Sequence, residues 1–248
     1  LAYYLSVIAA AKWKGKKVML FAQGIGPIRS GFMRMLTRLV VSRADVITVR
    51  DEDSAEELKR IGVPPEKVEV TADSVLTLEP ASRLKGKTIL ADAGLDPYKP
   101  IIGVSVREWP DNQRCLQQLS VALGELSRRH HAQIAILPLQ VSMDRNACQL
   151  LRSYLPETGH KVVLLDTTYS TEEFLSLVGS FRLLIGMRLH GLIFAAVMKV
   201  PLMAISYDPK VDSFVKAIGA QAVGTVATLS AEKVVREANA LWGQEQPV

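Results

Sequence analysis

The sequence predicts an α/β protein built from two Rossmann-like parallel-sheet halves, and three observations lead there. Short apolar runs of strand length alternate with amphipathic runs of helix length from end to end. Crossovers of that length join parallel strands rather than hairpins. The alternation breaks once, over residues 80–99, where prolines, glycines and charges crowd together, and it restarts at Ile101. The expected domains are therefore 1–80 and 100–248, with an interdomain linker at 81–99.

The elements follow in order. Residues 1–11 are helix-like, and the chain enters directly in them. Because it begins with Leu rather than Met, it reads as a fragment whose first strand and loop lie upstream, leaving the N-terminal domain incomplete. A strand at 17–22 runs into a Gly/Pro loop and an amphipathic helix at 31–43. Strands at 45–49 and 68–70 flank a helix at 52–61. In the second half, 101–106 is a strand, and Asp111, after Pro110, is placed to cap a helix over 112–131. Strands at 132–137 and 161–165 bracket a helix ending near Tyr154. Ser170 and Thr171 offer capping hydroxyls to the helix that follows, with Glu172 and Glu173 in its first turn. A strand at 181–185, a helix at 189–198 and a strand at 201–205 come next. Asp208-Pro209 then opens a helix with cap and first-turn proline in their favoured order. A helix at 230–241 closes the pattern.

Composition narrows the function classes. With 48% hydrophobic and 22% charged residues the chain has ordinary globular balance, which argues against disorder. Cys115 and Cys148 sit in helix-like segments without CxxC spacing, so a disulfide framework is not expected and a reducing, cytoplasmic setting is. His130 and His131 are adjacent and diverge on a helix while His160 stands apart, so no metal site is expected. No apolar run reaches the roughly 18 residues of a membrane span. Through Ala44 there are eight Lys or Arg and no acid, within an overall net charge of +5. Such a basic portion suits an anionic substrate or peripheral contact with an anionic membrane surface. Nucleic acid is not expected, because aromatics are not interleaved with the basic residues as stacking platforms.

The run Gly186-Met187-Arg188-Leu189-His190-Gly191 carries the most chemistry. It joins an apolar strand to an apolar helix, so a guanidinium and an imidazole stand at a strand's carboxyl end beside a helix N-terminus. The dipole there favours anions and opposes cations, so these side chains imply an anion to share. Three further cations fall just past strand ends: Arg29 after Gly24-Ile25-Gly26-Pro27, Arg107 after Ser105-Val106, and Lys210 after Tyr207-Asp208-Pro209. In parallel sheets all carboxyl ends face one way, which is where ligands bind. The Gly24-x-Gly26 loop has Arg29 where a dinucleotide fingerprint needs glycine. It is expected instead to present backbone N–H groups and one guanidinium to a small anion.

Gly24-Ile25-Gly26-Pro27, Val49-Arg50-Asp51-Glu52, Thr71-Ala72-Asp73, Ser105-Val106-Arg107, Arg188-Leu189-His190-Gly191 and Ser206-Tyr207-Asp208-Pro209-Lys210, in this order, resemble the polysaccharide pyruvyl transferase family. Within it the resemblance is greatest to the CsaB-type enzymes of cell-wall polymer synthesis. It implies a GT-B-like fold, two Rossmann-like domains facing across a cleft. It also implies transfer of pyruvate from phosphoenolpyruvate onto a sugar of an envelope polysaccharide precursor as a ketal. The acceptor is then expected to be a lipid-linked saccharide held on the N-terminal side, with the donor on the C-terminal side. Phosphoenolpyruvate carries phosphate and carboxylate close together, so several cations must gather in a small space. The resemblance and the strand-end positions assign this to Arg29, Arg188 and Lys210, with Arg107 added, and His190 is the expected proton donor. Arg29 is expected to reach toward Arg188, His190 and Lys210. No cofactor or metal is required, since fixed cations neutralise the developing charge.

Two other readings use the same residues. A nucleotide-sugar glycosyltransferase or epimerase would need a C-terminal carboxylate for the ribose hydroxyls, and Glu172 or Glu173 is placed for it. A non-catalytic module would dock the basic N-terminal face on anionic lipid or polymer.

Overall fold

The computed structural model describes residues 1–157 and 159–243. The chain divides into two compact units, Leu1–Thr77 and Leu78–Val248. In the first, helix α1 (Ala2–Trp13) precedes strand β1 (Met19–Gln23), helix α2 (Gly31–Val41), strand β2 (Val46–Val49), helix α3 (Glu52–Arg60) and strand β3 (Val68–Val70). The three strands pair in parallel, in the order β1-β2-β3. Leu20, Ile47, Val49 and Leu58 form the centre of its core, whereas Met19 and Phe21 on the edge strand β1 remain exposed. Helix starts follow the sequence: Ser30 caps α2 through the Met33 amide, and Asp51 caps α3 through the Ser54 amide at 2.8 Å.

The second unit begins with helix α4 (Arg83–Asp92). It continues through β4 (Ile101–Ser105), α5 (Gln113–His130), β5 (Gln133–Ile136), α6 (Val141–Tyr154) and β6 (Val162–Leu164). Then come α7 (Thr171–Gly179), β7 (Leu183–Gly186), α8 (Leu189–Val197), β8 (Leu202–Ser206), α9 (Pro209–Ala217), β9 (Gly224–Thr225) and α10 (Ala231–Trp242). All six strands are parallel, in the order β6-β5-β4-β7-β8-β9. Chain order reverses between β4 and β7, where crossovers leave in opposite directions and open a crevice at the carboxyl ends. Ser105 and Gly186 lie side by side at that edge.

The pleat assigns two chemistries to the two faces. Ile102, Val104, Ile134, Ile136, Leu183 and Ile185 face one way, into a core shared with α5, α6 and α10. The alternate residues include Gly103, Ser105, Ala135, Gly186 and Ala204, small side chains that let α7 and α8 approach closely. A Cβ on Gly103 would lie 2.1 Å from Phe181, and one on Gly191, in α8, 3.6 Å from Ser105 Cβ.

Two expectations are corrected here. The segment predicted as a linker contains α4, which packs on α7 within the second unit. Its Gly86 N–H donates to Ser176 Oγ at 2.6 Å, and a Cβ there would stand 2.2 Å from the Ser176 carbonyl oxygen. The glycine that looks like a breaker in the sequence is what permits this crossing. Gly86→Ala is therefore expected to lower stability by about 1–3 kcal/mol, the usual cost of overpacking, measured by chemical denaturation. An unchanged midpoint would show that α4 is not held to α7. Second, Asp111 does not cap α5. Asn112 takes the cap position without a capping bond and donates its amide to the Arg107 carbonyl at 3.0 Å, while Asp111 adopts φ 55°.

Both cysteines are fully buried, and burial pushes Cys115 up to about 11 and Cys148 to about 12. Since the thiolate is the reactive form, neither is expected to be alkylated by iodoacetamide in the native protein near neutral pH, and both in urea. Labelling of the native protein at either position, read by mass spectrometry, would contradict this burial.

Candidate functional site

The carboxyl edge of the second unit's sheet gathers most of the predicted site residues. Arg107 follows β4, Arg188 and His190 follow β7, and Lys210 follows β8, so three neighbouring strands deliver them to one rim. Two of them, Arg107 and Lys210, pack on Tyr207. Arg107 Nη1 donates to the Tyr207 hydroxyl at 3.0 Å, and its guanidinium lies 4.7 Å from that ring's centroid and 5.3 Å from the Trp109 ring. Trp109 meets Tyr207 edge-on at 4.8 Å. Lys210 Nζ lies 5.3 Å from the Tyr207 centroid. One phenol therefore positions two cations from strands on either side of β7, a cation–π arrangement that leaves their charge available.

The three cations of this rim differ in how their charge is met. Arg188 stands at the N-cap of α8 without a capping bond. Its Nε donates to Asp144 at 3.0 and 2.9 Å, and its Nη2 to the same carboxylate. Asp144, on α6, is fully buried and also accepts from the Gln140 N–H at 3.0 Å. The anion that the sequence argument requires beside Arg188 is thus supplied by the protein, and Asp144 is the site residue that sequence reasoning misses. Lys210 has a similar, looser partner: Nζ lies 3.6 Å from Asp208, whose other oxygen accepts the Lys210 N–H. Arg107 forms no ion pair among the described residues, so it ranks above Arg188 as an open cation, reversing the order the sequence suggests. Trp109 and Tyr207, the residues that hold it, follow strand ends and could have been read from that position.

His190 is exposed at the second position of α8, next to Gly191. Ser105 Cβ lies 3.6 Å from where a Cβ on Gly191 would be, and the Ser105 hydroxyl is buried without a hydrogen-bond partner among the described residues. The first turn of α8 and the cations that follow β4, β7 and β8 thus lie along one rim, a composition suited to an anion.

In the first unit, Arg29 is exposed just before the α2 cap and forms no ion pair among the described residues. The loop before it does not present its amides as predicted. The Ile25 N–H donates to Ser54 Oγ and the Ile28 N–H to the buried Glu57, both at 2.9 Å, while Arg50 covers Gly24. Side chains of α3 fasten this loop from within. Elsewhere, Glu173 reaches back to the Ser170 N–H in a capping box and pairs with Lys85 at 3.2 Å. It is held for structure, which weakens its reading as a ribose ligand; Glu172 remains exposed. Among the described residues no cluster of His, Cys, Asp or Glu has metal-ligand geometry, and no helix is long and apolar enough to cross a membrane.

Parallel α/β units of this kind define the GT-B fold class, and solved GT-B structures share it. A UDP complex of MnaA from S. aureus superimposes with TM-score 0.67 at 14% identity, covering 96% of this chain and 63% of that one. HepE from Anabaena, in complex with UDP and glucose, gives TM-score 0.67 at 12% identity, covering 97% of this chain and 66% of its own. Residues 1–209 match the polysaccharide pyruvyl transferase family, and the chain belongs to it. The amylovoran biosynthesis protein AmsJ of Erwinia amylovora is 22% identical over 218 residues, which are 82% of this chain and 52% of AmsJ. The chain thus spans about half of that curated relative and somewhat under two thirds of these solved structures.

Proposed function

We propose that the protein containing this chain takes its pyruvyl group from phosphoenolpyruvate and delivers it as a ketal to a sugar of an envelope polysaccharide precursor. One observation carries the reading: Arg107 and Lys210 converge on Tyr207 from either side of the β7 loop that bears Arg188 and the exposed His190. Phosphoenolpyruvate needs such a set, since its phosphate and carboxylate demand several donors within a few ångströms. In this reading Arg107 and Lys210 hold the anionic groups, Arg188 contributes through Nη1, and Arg29 is retained from the family resemblance. A lipid-linked saccharide is the proposed acceptor, reached at the inner face of the membrane by a cytoplasmic enzyme.

His190 protonates the methylene carbon, giving an oxocarbenium-like centre at the carbon that bears the phosphate. One sugar hydroxyl adds there and releases its proton. Phosphate leaves, a second hydroxyl of the same sugar closes the ketal, and its proton is released too. Of these two protons one restores His190 and the other departs with phosphate, so the sum is phosphoenolpyruvate plus diol giving ketal plus inorganic phosphate. No metal or cofactor enters this proposal.

Arg107→Ala tests it most directly, because this cation has no carboxylate partner to orphan. Phosphoenolpyruvate affinity by calorimetry is expected to fall by about 1.5–3 kcal/mol, the loss of one charge-assisted contact, with the fold retained. Undiminished affinity would remove Arg107 from the site, and UDP-sugar affinity rivalling that for phosphoenolpyruvate would favour a glycosyltransferase or epimerase.

A further inference from the structure

A second concavity lies along the same rim, outside the carboxyl ends of β5 and β6. It encloses about 650 Å³, within the roughly 300–1,000 Å³ of ligand clefts and much more than one phosphate needs. Its apolar wall is Phe174 with Leu139. Phe174 is fixed by stacking on Phe194 of α8, with centroids 6.1 Å apart, and by the edge of Tyr169 at 5.7 Å. Its polar lining comes from Gln140, Ser142, Asn146 and Thr168, all exposed. Among the described residues none of these four side chains has a protein hydrogen-bond partner, so each keeps its donors and acceptors open. The one charged residue of the lining, Arg145, is matched by Asp166 at 3.1 Å.

This chemistry differs from that of the Tyr207 cluster. The lining holds one cation, Arg145, already paired with Asp166, whereas neutral hydroxyls and amides surround an immobilised aromatic face. Such a surface recognises a neutral, hydroxyl-rich ring, whose C–H face packs on the arene while its hydroxyls exchange water for amide and hydroxyl partners. Position agrees with composition. Leu139 lies 3.5 Å from where a Cβ on Gly191 would be, so the pocket wall abuts the α8 turn bearing His190. Asp144, which holds Arg188, shares its helix with Ser142, Arg145 and Asn146.

We propose that this pocket is a saccharide subsite that seats a neutral pyranose ring of the acceptor next to His190. The proposal rests on the pyruvyl-transfer reading for the identity of the ring as acceptor, but the binding itself does not depend on it. It places a sugar contact on the C-terminal unit, where the family resemblance led us to expect the donor alone. A nucleobase could also stack on Phe174. The lining itself offers one cation, Arg145, which pairs with Asp166, and its neutral hydroxyls and amides favour a sugar; the uridine arm of the test separates the two.

The test is saturation-transfer difference NMR on the chain, using methyl glycosides of galactose, glucose, mannose and N-acetylglucosamine, with uridine as a separate arm and phosphoenolpyruvate titrated in parallel. At least one glycoside should bind, with the largest transfer to the ring protons of one face. Asn146→Ala, Ser142→Ala and Phe174→Leu should each weaken it by about two- to tenfold while leaving phosphoenolpyruvate affinity unchanged. The first two lie on exposed positions, so the test survives if Phe174→Leu disturbs folding. Glycoside binding indifferent to the variants, no glycoside binding to a protein that binds phosphoenolpyruvate, or uridine binding that the variants abolish would each overturn the proposal. Glycoside binding that responds to the variants, in a protein that fails to bind phosphoenolpyruvate, would uphold the subsite and sink the pyruvyl-donor reading instead.

Discussion

His190→Gln is expected to bind phosphoenolpyruvate nearly as well as the wild type and to lose about 10²–10⁴-fold in turnover, the usual contribution of a positioned general acid. Glutamine keeps a hydrogen-bond donor at the second position of α8 but has no proton to deliver. The side chain is exposed, so the change opens no cavity in the core. The measurement is phosphate release and solvent-deuterium incorporation into the pyruvyl methyl group, made on the protein with its acceptor. Both should fall together, because one proton transfer starts the sequence. If the variant turns over near the wild-type rate while binding phosphoenolpyruvate poorly, His190 is a binding residue and the acid lies elsewhere.

Arg188→Ala is expected to cost about 3–5 kcal/mol of stability, because removing one member of a buried pair leaves the other charge uncompensated. Asp144 is fully buried and its carboxylate is engaged by Nε and Nη2 of Arg188. This revises what the sequence implies, that the substitution chiefly weakens substrate binding. The check is a double-mutant cycle with Asp144→Asn, read by urea denaturation. The double variant should recover much of the loss, since a neutral amide carries no orphaned charge. If Arg188→Ala leaves stability unchanged but weakens phosphoenolpyruvate binding, the guanidinium serves the substrate and its tie to Asp144 is incidental.

The elements that were legible are those whose signals are local. Asp208-Pro209 and Ser170 start helices where cap and first-turn chemistry place them, and the central strands are continuous apolar runs because sheets covered on both faces require it. Helix α4 is not legible in the sequence because its evidence is not local: Gly86 and the flanking prolines and charges look like a breaker until Ser176 is found against that glycine. The two-residue strand β9 is too short to carry a period, and only pairing with β8 defines it.

The sequence by itself determined that the chain is a parallel α/β protein with cations at its strand ends. Periodicity sets element type and parallel topology sends every carboxyl end to one side, so the sequence alone assigns Arg107, Arg188, His190 and Lys210 to one rim. Only the tertiary structure decided which of these charges is open. Arg188 and Asp144 are 44 residues apart in the chain, and Arg107 and Tyr207 are 100 apart. Whether a guanidinium meets a carboxylate or an aromatic face depends on which helices and strands the core brings together. That depends on packing among distant segments, for which local composition carries no signal.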